Sequence, residues 1–170
     1  GFAGRTRHEL SLLSAGANPV TTTGQGAEEH AELNAVWAEL LMHPECPLRR
    51  LKTGWYPLNV DTALGGLARN TTLHEVHFIQ GVVTMAGLTD ILRHNQSITV
   101  LCGHGCWVVT DEDSKKDSPE TPQAALEQLA EALATNTSLQ RFELVGWRSS
   151  FEGLAASILE GIKRNTSLQE

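Results

Sequence analysis

Cysteine, aromatic side chains and basic runs are all scarce in this chain. Three cysteines among 170 residues, an odd number, make no disulfide framework. The 13 Lys and Arg are scattered and outnumbered by 20 Asp and Glu, for a net charge of −7. Without a basic cluster there is no electrostatic footprint for a polyanion, which excludes nucleic acid as the principal partner. No apolar stretch approaches the ~18 residues of a membrane-spanning helix, and no signal-like apolar run opens the chain. Charged residues, at 19%, carry both signs and fall short of the composition of a disordered polypeptide. The abundant residue is leucine, with 23 copies against nine aromatics. The length suits one sizeable core or a short array of repeats, and is too short for two ordinary domains.

The leucines belong to an internal repeat. Four asparagines open near-identical tetrapeptides: Asn70-Thr71-Thr72-Leu73, Asn95-Gln96-Ser97-Ile98, Asn136-Thr137-Ser138-Leu139 and Asn165-Thr166-Ser167-Leu168. Three residues before each Asn stand Leu67, Leu92, Leu133 and Ile162; seven before stand Ala63, Leu88, Leu129 and Ile158. Six residues after the first three come Val76, Leu101 and Phe142. A degenerate fifth copy starts at Glu45, with Ala38, Met42, Leu48 and Leu51 in the same columns.

Before the Asn, apolar residues recur at helical intervals, as in Leu126, Leu129, Ala130 and Leu133. After it they fall at positions 1, 4 and 6, as in Leu139, Phe142 and Leu144, and the last two share one face of a short strand. The Asn is expected to close the helix in the left-handed conformation, with Ser or Thr two residues on bonding backbone in the turn. Each unit therefore reads as helix, tight turn, strand, with an apolar edge that only a stacked neighbour can bury.

This pattern resembles the leucine-rich-repeat family, with its strand signature L-x-x-L-x-L-x-x-N/C. The added helix and the Asn-x-Ser/Thr-Leu junction resemble the ribonuclease-inhibitor-like subclass found in NOD-like receptors, tropomodulins, Ran GTPase-activating proteins and bacterial effectors. The resemblance covers roughly residues 31–170 and implies an α/β solenoid, a horseshoe segment with a parallel concave sheet and convex helices. Thr53 and Gly103 depart from it at strand position 6. Position 9 reads Tyr56, Gly81, Cys106 and Trp147, and the starting apolar residues Leu48, Leu73, Ile98, Leu139 and Leu168 lie 25, 25, 41 and 29 apart.

Along the chain, residues 1–26 read as a flexible leader with a short helix at His8–Leu13, and 27–47 as an N-terminal capping helix. Residues 48–170 then hold four to five repeats, interrupted by an acidic surface loop at 108–122 that contains Ser118-Pro119 and Thr121-Pro122. The array stops just inside a new strand, which suggests a piece of a longer protein. All four Asn-x-Ser/Thr tripeptides match the glycosylation sequon, but each occupies the same helix–strand junction, where the fold itself selects these residues. Without a disulfide framework, a cytoplasmic location is expected.

The chemically suggestive motif is Cys102-Gly103-His104-Gly105-Cys106, with Cys102 and His104 on the exposed face and His77 about one strand spacing, ~4.8 Å, from Cys102. Such a cluster is compatible with zinc or with a Cys–His nucleophile pair. Cys106 is expected to point inward, however, and no third orienting residue is evident, so neither cofactor nor catalysis is expected. The outward strand positions are the better candidates for a protein-binding site: Arg50, Lys52, Trp55, His77, Ile79, His104, Arg141 and Glu143. Trp147 is expected in the core. The leading expectation is a non-enzymatic protein–protein recognition module, monomeric or weakly self-associating, with no nucleic-acid or membrane partner. The alternatives are the targeting domain of a larger effector or ubiquitin ligase, and a cytoskeletal or innate-immune scaffold.

Overall fold

The computed structural model describes residues 9–13, 35–54, 60–109, 122–149 and 152–169. Its strands are β1 (Glu9–Leu13), β2 (Arg50–Gly54), β3 (Glu75–Ile79), β4 (Val82–Thr84), β5 (Val100–His104), β6 (Trp107–Val109), β7 (Arg141–Val145) and β8 (Arg148–Ser149). Its helices are α1 (35–42), α2 (Val60–Arg69), α3 (Met85–His94), α4 (Pro122–Thr135) and α5 (Leu154–Arg164). Two parallel sheets form, one of five strands in the order β1-β2-β3-β5-β7 and one of three in the order β4-β6-β8. Each of α2 to α5 packs against the next in chain order. The molecule is thus an α/β stack in which every unit contacts its sequence neighbours.

The columns read from sequence are the rows of the sheet. Leu51, Val76, Leu101 and Phe142 are register partners across β2, β3, β5 and β7. All four turn toward the helices, where they meet Leu73, Leu88, Leu92, Leu129, Leu133 and Leu139 in one continuous core. The helices contribute one face each: α3 buries Met85, Leu88, Ile91 and Leu92, after Thr84 Oγ1 caps its start by accepting from the Gly87 amide at 3.1 Å.

The asparagines do something other than the expected left-handed closure. Asn95 and Asn165 are extended, at φ −82° and −74°. Their side chains instead fasten one unit to the unit before it. Asn95 Nδ2 donates to Leu67 O and Asn70 O, both at 2.7 Å, while its Oδ1 accepts from the Ser97 and Ile98 amides at 2.8 and 2.7 Å. Asn136 and Asn165 repeat this, reaching Leu92 O at 2.7 Å and Leu133 O at 2.6 Å, and Asn70 reaches Leu41 O at 2.6 Å. The carbonyls freed at one helix C-terminus therefore find donors in the next unit. These amides are engaged and, for Asn70, Asn95 and Asn136, buried, so the sequons serve the fold.

The left-handed residues fall elsewhere. Gln80, Gly105 and Gly146, with φ of 54°, 65° and 63°, follow β3, β5 and β7 and turn the chain into the short second strand. That second sheet has no counterpart in the sequence reading, because three-residue strands leave too little periodicity to detect.

Three boundaries differ from expectation. Residues Glu9–Leu13 form a strand, not a helix, and pair in parallel with β2 from Glu9 opposite Arg50 to Leu13 opposite Gly54. The helix expected to cap the array consequently follows a strand, and it ends at residue 42. The inserted segment is shorter at both ends than 108–122, since Val108 and Val109 belong to β6 and Pro122 opens α4. The remainder of the leader, the start of the 27–47 helix, Trp55, Ser118 and Thr121 lie outside the described residues.

Gly103, an anomaly at an apolar strand position, has a structural cause. A Cβ there would come within 2.2 Å of the Trp147 indole. Trp147 of the following unit fills the volume that the residue at 103 leaves open, and it packs half-buried against the core as expected. Its Nε1 is buried without a hydrogen-bond partner.

Candidate functional site

The face of the five-stranded sheet turned away from the helices collects the outward residues into three rows. One row runs Arg50, Glu75, Val100, Arg141; the next Lys52, His77, Cys102, Glu143; the third Gly54, Ile79, His104, Val145. Parallel strands lie about 4.8 Å apart, so residues within a row stand side by side. Of the eight candidates, Arg50, Lys52, His77, Ile79, His104, Arg141 and Glu143 share this face, and Trp55 lies outside the described residues.

Two ion pairs organise it. Arg50 grips Glu75 with both ends of its guanidinium, its terminal nitrogen 2.8 Å from Oε1 and its Nε against Oε2. Arg141 donates to Glu143 at 2.7 Å, and the other oxygen of that carboxylate lies 3.9 Å from His104 Nε2. The Arg50 hydrogen bond outweighs partial burial and holds the Glu75 carboxyl below the usual carboxylate range.

His77 sits at the middle of the middle strand. Its Nε2 is buried without a hydrogen-bond partner, since Glu75 Oε2 stands off at 3.7 Å. Burial, reinforced by Lys52 and Arg50, overrides the pull of Glu75 and depresses its basicity. The neutral form of the imidazole is thereby favoured.

Cys102 was expected to be exposed and is 2% exposed. Its short side chain lies between the longer His77 and Glu143 in its row. Burial, then the Glu143 carboxylate 3.9 Å away, push its thiol up. A protonated, covered thiol is a poor nucleophile. Cys106 points the other way, toward Phe78 O at 3.5 Å in the core, and burial raises its thiol too. The two cysteines of the motif thus do not converge. Among the described residues no group of three or more His, Cys, Asp or Glu is placed to hold a metal ion. Among them, too, no helix is long and apolar enough to cross a membrane.

Sequence reasoning missed Trp107. It is 47% exposed, on the second sheet, and the apolar run Trp107-Val108-Val109 carries no signal of which residue turns outward.

No protein-family model and no curated protein matches the sequence. Among solved structures, the fold is similar to that of Leiomodin-1 Actin-Binding Site 2 (ABS2), with a TM-score of 0.52 at 15% identity. The match covers 93% of this chain and 80% of that one. At this identity the likeness is one of fold.

Proposed function

We propose that the chain is a leucine-rich-repeat solenoid serving as a non-enzymatic protein-recognition module, with the outer face of the five-stranded sheet as its concave ligand surface. The observation that carries this reading is the register of Arg50, Glu75, His77, His104, Arg141 and Glu143 on one face, pinned by two ion pairs. Side chains already held in place lose less freedom when a partner arrives, and a mixed-charge pattern selects among partners. In this reading the repeats begin at β1. The fold likeness to an actin-binding site favours a cytoskeletal partner, with actin the first to try. Three unpaired cysteines suit a reducing cytoplasm.

Filament co-sedimentation and anisotropy with monomeric actin test this directly. Arg50→Glu and Glu143→Lys are expected to abolish binding. Their thermal midpoints should move little, because partly exposed ion pairs contribute only about 0–1 kcal/mol. Failure of the unmodified chain to bind either form removes actin as the partner. Undiminished binding by both variants removes the face as the site.

A further inference from the structure

A second surface stands apart from the outer face. β4, β6 and β8 are in parallel register, with Val82 opposite Trp107 and Trp107 opposite Arg148. The residues after Val82 and Trp107 turn inward, Val83 at 2% exposure and Val108 at none. The row itself turns out: Val82 is 40% and Trp107 47% exposed, and Arg148 is exposed as well. The turns at Gly105 and Gly146, which lead into β6 and β8, are exposed as well.

Charge distinguishes this row from the outer face. There, Arg50 and Arg141 each hold a glutamate. Arg148 makes no ion pair among the described residues. An exposed indole next to a guanidinium that has no ion pair among the described residues combines the two side chains most enriched at interface hot spots. The guanidinium calls for a carboxylate, which it can grip with two parallel bonds. The indole and Val82 call for an aliphatic or aromatic neighbour. An anionic lipid surface fits less well, since the row offers one cation and the chain carries −7.

We propose that Val82, Trp107 and Arg148 form a second interaction surface that takes a protein segment carrying a carboxylate beside an apolar side chain. Its use does not depend on the function of the outer face.

The probe is a short fluorescent peptide with paired Leu and Glu in a Gly-Ser background, read by anisotropy against the same peptide with Lys for Glu. The Leu–Glu peptide binds and the Leu–Lys peptide does not. Trp107→Ala and Arg148→Glu each weaken binding by about tenfold or more. Arg148→Glu, at an exposed position, guards against a folding artefact, and the outer-face double variant Arg50→Glu/Glu143→Lys binds normally. Equal binding of both peptides, absence of binding at millimolar peptide, or undiminished binding by Arg148→Glu overturns the proposal. So does Trp107-dependent binding to phosphatidylserine vesicles in place of the peptide, which would make the row a lipid contact.

Discussion

Replacing Asn95 with alanine tests the interunit fastening most severely. Asn95 is 2% exposed, and its side chain satisfies four backbone groups: the Leu67 and Asn70 carbonyls of the preceding unit and the Ser97 and Ile98 amides of its own. Alanine removes every one of these partners at once. A buried polar group left unpaired costs about 1–3 kcal/mol. The four costs do not add fully, because Ser97 Oγ already reaches Asn70 O at 3.0 Å and the half-buried edge at Ser97 can admit water. A loss of about 3–5 kcal/mol is expected. Against a total stability of about 5–15 kcal/mol, that leaves the fold marginal. Urea unfolding followed by circular dichroism measures it. Asn95→Asp keeps the acceptor for the two amides but sets a carboxylate against two carbonyls, so it should be no better than alanine. Asn165→Ala, at a half-buried position, should cost less. A loss below about 1 kcal/mol for Asn95→Ala would mean that apolar stacking alone joins the units, and the account of the asparagines would be wrong.

Gly103→Leu is expected to destabilise by about 1–3 kcal/mol or more through overpacking against Trp147, and Trp147→Ala in the same chain should recover much of that loss. Thermal unfolding of the two single variants and the double variant checks the coupling; simple additivity would refute it. His77 predicts a pH effect. Its folded pKa lies below that of the unfolded chain, so the unfolded state binds the extra proton and stability falls as pH drops through the ordinary histidine range near ~6.5. Glu75 acts in a lower window: its depressed pKa gives stability that is present above the ordinary carboxylate range and lost as pH falls through the folded value. Urea midpoints between neutral and mildly acidic pH should therefore decline for the unmodified chain and decline less for His77→Gln.

Much of this architecture is legible before any coordinates. The spacing of Val76, Leu101 and Phe142 already defines the register of β3, β5 and β7, because in-register stacking forces equivalent residues into equivalent positions. The same logic places His77 beside Cys102 and all eight candidates on one face; the register sets seven of them there, and Trp55 lies outside the described residues. What stayed hidden has particular causes. β1 has neither the tetrapeptide nor the flanking apolar columns of the later units, so its five residues carry no repeat signal and read as a short helix. The repeat gives the direction of the Cys102 Cβ, but exposure depends on the length of the side chains beside it. The asparagine columns follow from the repeat itself, but their role does not: a helix end suggests left-handed closure, whereas the observed role needs carbonyls from another unit.

Sequence alone determines the repeat, its register and the residue types along the outer face, since all of these follow from local periodicity propagated by stacking. Tertiary structure decides which anomalies compensate one another. Gly103 and Trp147 are each exceptions within their own unit, and only the contact between two units makes them one packed position. It likewise decides that Cys102 is covered, that Arg50 is paired with Glu75 of the next strand, and that Trp107 stands in water beside Arg148. Burial and this pairing are properties of neighbours brought together from different units, and no single unit encodes them.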